Sequence, residues 1–255
     1  MASLPRQVIG GLVLRETETK ESDKILTVLT APLGKIAVIA RGARRKNSRL
    51  AAGAQFLAYS EMTLYQNKNW YMLDEAETIE LFSGLRRDLE KLSLGAYLAE
   101  LTESVCHEGS EAEEIMRLLL NALYALSKLN KPQLQVKTAF EWRLMSQLGF
   151  APLVECCAYC GVEQPREPML DVVQGLLHCR TCRPKGQTGL SMPLCAGSLA
   201  ALRYILYRPA EKLYSFTLEK EALRCLAQAS EAFCAAQLEQ SFRTLDFYKS
   251  IKVED

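Results

Sequence analysis

Histidine is nearly missing from this chain: His107 and His178 are the only two. Imidazole, the commonest general base near neutral pH, is therefore scarce. There is no GxxxxGK[ST] phosphate loop, no GxSxG nucleophile elbow and no HExxH zinc-protease motif. These absences leave no argument for catalysis. No run of eighteen apolar residues occurs, and MASLPRQVIGG lacks the apolar core and cleavage pattern of an export signal. The expectation is a cytoplasmic protein that does not cross a membrane. Bulk charge is missing too: 31 Lys/Arg face 30 Asp/Glu, for a net +1. A generally polybasic protein is excluded, and any positive field has to be local. Internal repeats and low-complexity segments are absent as well.

What is present is an ordinary globular composition, 49% hydrophobic and 24% charged. The charge is unevenly spread: residues 1–50 carry ten Lys/Arg against four Asp/Glu, and residues 51–255 carry 21 against 26. The asymmetry concentrates in GKIAVIARGARRKNSR, residues 34–49. Its first half is a short β-branched run that suits a strand. Its second half places Arg41, Arg44, Arg45, Lys46 and Arg49 on a loop marked by Gly42, Asn47 and Ser48. Several cations presented from a rigid strand are a natural grip for a polyanion, each phosphate contact releasing counterions. The alternative is a solvated basic loop that only aids solubility. The acids Glu16, Glu18, Glu21 and Asp23 read as a solvated charge run near the first hairpin.

The first eighty residues predict strands over Gln7–Leu14, Ile25–Thr30, Lys35–Arg41, Gln55–Tyr65 and Asn69–Ile79. Five short strands suit a small closed barrel of the oligonucleotide-binding (OB) type, because closure removes exposed edges. Tyr59, Tyr65, Trp70 and Tyr71 fall in the last two strands, where they stack bases or pack within the sheet. From Leu81 the period becomes helical, with a weak point at Ser93–Gly95. Ser110-Glu111-Ala112-Glu113 reads as a capping box, and a third helix stops at Gly149 before Pro152. Helices resume after residue 190. One ends at Pro209, another has Thr217 as its cap with Glu219 and Glu221 in its first turn, and Phe242, Leu245 and Tyr248 extend the pattern to the tail.

Between the helical blocks, Cys157-Ala-Tyr-Cys160 and Cys179-Arg-Thr-Cys182 form two CxxC knuckles. A two-residue gap turns both thiolates of a knuckle toward one ion, and four thiolates in a tetrahedron suit Zn²⁺. Such a shell leaves no position for water, so one structural zinc is expected. Cys156 would break the symmetry of the knuckles, and His178 reads as a neighbour. Cys106, Cys195, Cys225 and Cys234 read as small apolar residues. The chain thus divides into a barrel (1–80), helices (81–152), a zinc-binding insert (153–189) and further helices (190–255): an α+β multidomain protein.

In this order the elements resemble the RecO family of bacterial recombination mediators. The resemblance rests on Glu21-Ser22-Asp23-Lys24-Ile25-Leu26-Thr27-Val28-Leu29-Thr30, Gly34-Lys35, Ala40-Arg41-Gly42-Ala43-Arg44-Arg45 and Ser48-Arg49. It continues through Ala96-Tyr97-Leu98-Ala99-Glu100-Leu101, Leu144-Met145, Leu148-Gly149-Phe150, Pro152, and the four cysteines with Gly175. Gln174 stands where a second glycine is expected. The resemblance implies a non-enzymatic protein that binds single- and double-stranded DNA and anneals complementary strands. It also implies action with RecR in loading RecA onto strands coated by single-strand-binding protein (SSB), whose acidic C-terminal tail it binds, with RecF and RecA as indirect partners. Mapped here, Lys35 and the cations of Arg41–Arg49 are the expected DNA grip. A different class of reading is a zinc-stabilised protein-interaction scaffold whose basic loop is incidental.

Overall fold

Strands β1 (Arg6–Thr19), β2 (Asp23–Thr30), β3 (Gly34–Ala40), β4 (Tyr59–Asn67) and β5 (Trp70–Glu80) close into a barrel in the order β1-β2-β3-β5-β4. The computed structural model describes residues 5–129, 131–183 and 189–251. Neighbouring strands run antiparallel except β3 and β5, whose parallel pairing of Val38 with Tyr71 and Ile39 with Met72 closes the ring. This is an OB-type barrel. Its strands form because their side chains alternate: Ile36, Val38 and Ala40 are buried while Ala37 faces out. Val13, Leu26, Val28, Met62 and Leu64 complete the interior.

All five expected strands are present, with two boundaries moved by more than two residues. A bulge between Val13 and Arg15 lets β1 run on to Thr19, so β1 and β2 form a long hairpin with Glu18 opposite Lys24. Strand β4 starts at Tyr59, four residues later than expected, because residues 41–58 form a chain of turns. Gly34 (φ 65°) sits where a Cβ would lie 2.1 Å from the His107 carbonyl oxygen. That close approach lets Lys35 N–H donate to His107 (3.2 Å) and Ala112 N–H donate to Ala31 (2.9 Å).

The helices are α1 (Ser83–Arg86), α2 (Leu89–Val105), α3 (Glu113–Ser127), α4 (Gln133–Gln147), α5 (Ala196–Tyr207), α6 (Lys220–Leu238) and α7 (Arg243–Ile251). The expected weak point at Ser93–Gly95 is continuous helix; the break falls at Arg87–Asp88, where the Asp88 carboxylate caps α2 by accepting from Lys91 N–H (3.0 Å). Gly95 serves close packing instead, since a Cβ there would reach Leu57 at 3.0 Å. The capping box at Ser110 does not form: α3 has Ala112 at its cap without a side-chain bond, because residues 106–112 are drawn into pairing with the β2–β3 turn. Thr217 does not cap α6 either; Glu219 occupies that place.

Two compact units result, one of residues up to Lys128 together with the chain from Phe242, the other Leu129–Ser241. In the first, α7 packs on α2: Phe242 meets the Tyr97 ring edge-on at 5.7 Å, and Thr244 N–H donates to Glu100 at 3.1 Å. Glu239, in the left-handed region (φ 52°), is where α6 ends. In the second unit, α4 and α6 pack through Trp142 and Phe233, with ring centroids 5.0 Å apart. A buried ion cluster lies beside them. Lys137 reaches Glu141 and Glu231, each at 2.8 Å, and Ser230 donates to Glu141 at 2.5 Å. Burial alone would depress the Lys137 ammonium, but the two carboxylates outweigh it and hold its pKa above the usual lysine value. Removing one partner of such a buried cluster costs about 3–5 kcal/mol, the penalty of an unpaired buried charge. Among the described residues no helix is long and apolar enough to cross a membrane.

Candidate nucleic-acid interface and metal centre

The basic segment leaves β3 at Ala40 and crosses one end of the barrel as successive turns. Arg45 N–H donates to Gly42 (3.1 Å), Ser48 to Arg45 (3.0 Å) and Ala51 to Ser48 (3.3 Å). It is held down by apolar side chains: Ala43, Leu50 and Ala54 belong to the barrel core, and Leu57 and Ala58 are also buried. The alternation of small apolar and cationic residues therefore gives a fixed platform, its apolar members plugged into the barrel and its cations outside. Gly42 (φ 67°) makes the first turn, a conformation that favours glycine.

Of the six residues expected to grip DNA, the structure brings five together on this platform. Arg41, Arg44, Arg45, Lys46 and Arg49 are exposed. Among the described residues, Arg44 is the one of these five that makes an ion pair, its Nη2 lying 2.9 Å from Glu18 Oε2. Lys35 stands apart, at the far end of β3, roughly 20 Å along the strand from Arg41 at about 3.3 Å per residue. Its ammonium donates to the Glu103 carbonyl near the C-terminal end of α2 (2.6 Å), a favourable place for a cation. The aromatic residues are divided: Tyr71 packs against the barrel core, Tyr59 and Tyr65 are half-buried, and Trp70 is 46% exposed.

Glu16, Glu18 and Glu21 of the first hairpin are exposed, as a solvated charge run would be, but three of the four acids also make specific contacts. Asp23 Oδ1 accepts from Gly42 N–H (2.8 Å), and Glu16 Oε2 accepts from Phe56 N–H (3.2 Å) and from Lys24 (2.8 Å). Glu18 pairs with Arg44, and the Glu21 carbonyl accepts from the same guanidinium (3.3 Å). The hairpin register carries these acids to both ends of the platform. Nothing local in the sequence announces those contacts.

In the second unit, Cys157, Cys160, Cys179 and Cys182 bring their sulfurs within 4.8 Å of one another. The first knuckle turns at Gly161 (φ 74°), whose N–H donates to Cys157 O (2.9 Å); in the second, Cys182 N–H donates to Cys179 O (3.1 Å). Strands β6 (Pro168–Asp171), β7 (Leu176–Cys179) and β8 (Ser191–Pro193) form a small sheet that delivers Cys179. His178 points into that sheet: its Nδ1 lies 2.9 Å from the Cys179 carbonyl and its Nε2 lies 3.0 Å from Ser191 Oγ. Neither His178 nor Cys156 joins the sulfur cluster.

Burial pushes the Cys157 thiol up, but N–H groups of Cys160, Cys179 and Tyr159 outweigh it and bring it down to about 6. Partial burial and its sulfur neighbours push Cys179 up to about 12. Thiols this close resist carrying several negative charges together, which is the state a soft divalent cation stabilises. The donor set therefore fits a metal ion bound by four sulfurs. Arg203 of α5 braces the entry to the site, donating to the carbonyls of Val154 (2.8 Å), Glu155 (2.9 Å) and Glu163 (2.6 Å). Its hydrogen-bond acceptors among the described residues are all backbone oxygens, so no motif marks it.

Fold and site together define an OB-barrel protein with a cationic platform and an accessory four-cysteine element. Residues 7–82 match the family model "Recombination protein O N terminal", and residues 86–246 match "Recombination protein O C terminal". The chain is 34% identical over 242 residues to a DNA repair protein RecO of Acetivibrio thermocellus, covering 95% of this chain and 96% of that one. It is 30% identical to a namesake from Alkaliphilus metalliredigens (94% and 98% covered) and 32% identical to one from Heliobacterium modesticaldum (94% and 88%). The chain belongs to the RecO family of DNA repair proteins.

Proposed function

We propose that the protein is a non-enzymatic DNA repair and recombination mediator. It binds single- and double-stranded DNA through residues 41–49, anneals complementary strands, and with RecR promotes RecA loading on SSB-coated strands. One observation carries this reading: Arg41, Arg45, Lys46 and Arg49 project, exposed, from a platform fixed on an OB barrel. Phosphate contacts of that kind hold a strand by its backbone and leave base edges free, as annealing requires. Lys35 belongs to the same basic stretch of sequence but contributes by docking α2. The barrel, 1–80, is the DNA-binding domain; residues 153–189 form the insert held by one structural Zn²⁺ on Cys157, Cys160, Cys179 and Cys182. The SSB tail and RecR are its protein partners, and the cytoplasm, on the nucleoid, is its place of action.

Purified protein is expected to anneal complementary oligonucleotides without nucleotide or added divalent metal, at a rate that falls as salt rises. An absolute requirement for ATP contradicts the proposal.

A further inference from the structure

The β1–β2 hairpin and the platform meet through a set of contacts that a charge-only account does not need. Asp23 Oδ1 receives Gly42 N–H at 2.8 Å, fixing the first turn of the platform where the chain leaves β3. Glu16 Oε2 receives Phe56 N–H at 3.2 Å, fixing the other end. Between them Arg44 N–H donates to the Ser22 carbonyl (3.0 Å), and the Arg44 guanidinium bonds the Glu21 carbonyl and the Glu18 carboxylate. Two of the four hairpin acids are thus matched to cations, Glu16 to Lys24 and Glu18 to Arg44. A third, Asp23, accepts a backbone amide.

We propose that Asp23 and Glu16 are positioning residues that hold the platform in its strand-binding shape, with Arg44 as a strut, so that phosphate is taken by Arg41, Arg45, Lys46 and Arg49. The inference rests on the reading of residues 41–49 as the DNA grip. Its physical basis is entropic. A loop ordered only on binding has to lose its backbone freedom at that moment, and the loss comes out of affinity. A loop already tied at both ends has lost it on folding. Four cations on a pinned backbone keep the spacing at which neighbouring phosphates can be met together. The acids strengthen DNA binding, against the simple expectation that carboxylates near a cationic site weaken it.

The test is salt-titrated binding of a fluorescent single-stranded oligonucleotide by the full chain. Asp23→Ala removes the acceptor for Gly42 N–H and is expected to weaken binding about tenfold, the scale of one lost charge-assisted hydrogen bond. The salt slope, which counts phosphates met, is expected to stay as in the unmodified protein. Asp23→Asn keeps an acceptor oxygen and is expected to restore most of the loss. Should Asp23→Ala not fold, Glu16→Ala probes the other tie, with the same pattern expected.

Affinity equal to or tighter than that of the unmodified protein in the alanine variants overturns the inference. So does an asparagine variant as weak as alanine, or a weakening that comes with a lower salt slope. Failure of the underlying reading is distinguishable: there, neutralising Arg41, Arg45, Lys46 and Arg49 together leaves DNA affinity unchanged.

Discussion

The platform of residues 41–58 and the cysteine element of residues 153–183 solve one problem by opposite means. Each is irregular chain that must hold a shape without helix or strand along most of its length. The platform does so with the barrel beneath it: Ala43, Leu50, Ala54 and Leu57 are buried, and hairpin carboxylates tie its ends. The cysteine element holds only β6 and β7, two short strands of a three-stranded sheet, and gathers four sulfurs within 4.8 Å. Where there is apolar core to plug into, side chains suffice; where there is little, four gathered sulfurs offer the site for a metal staple. The two segments therefore answer different perturbations.

The largest expected effect separates them outright. Structural zinc in small peptides contributes on the order of 10 kcal/mol, so a strong chelator should abolish amide-exchange protection around residues 155–182. Protection of the platform amides, which depends on no metal, should survive. Cys160→Ser should likewise lower the metal content below one ion per chain by elemental analysis. Full protection of the cysteine element after chelation would mean that the four sulfurs hold their shape alone.

A smaller effect probes the other side of the comparison. Leu50→Ala deletes a side chain buried in the barrel core and should cost about 2–4 kcal/mol, read as a fall in the denaturant midpoint of the barrel unit. Metal stoichiometry should be untouched. A cost under ~0.5 kcal/mol would show that the platform is only laid on the barrel.

The two segments also differ in how far they could be read from the chain. The gathering of the four cysteines was legible, because CxxC spacing is a local constraint. The cations of the platform were legible as charge, and the barrel strands as alternation. What escaped was whatever depends on register. Glu16 and Asp23 look like solvated acids until the hairpin carries them to the platform ends. Lys35 counts as one more cation until its strand aims it at the Glu103 carbonyl. Ser110 has the spacing of a cap, but the pairing of residues 106–112 with the β2–β3 turn leaves α3 to begin without it. Arg203 donates its hydrogen bonds, among the described residues, to carbonyls, which every residue owns. Local chemistry shows in sequence; long-range satisfaction of backbone groups does not.

The most direct measurement compares the two regions as partners of DNA. Salt-titrated affinity for a single-stranded oligonucleotide is taken for two variants of the full chain. One carries Arg41→Gln, Arg45→Gln, Lys46→Gln and Arg49→Gln on the platform; the other carries Arg166→Gln and Arg180→Gln, two exposed cations of the cysteine element. At roughly 0.7 counterion per phosphate on a single strand, loss of four contacts lowers the slope of log affinity against log salt by about 3. The account predicts that fall for the platform variant and an unchanged slope for the other. A platform variant that keeps both its affinity and its slope would contradict it.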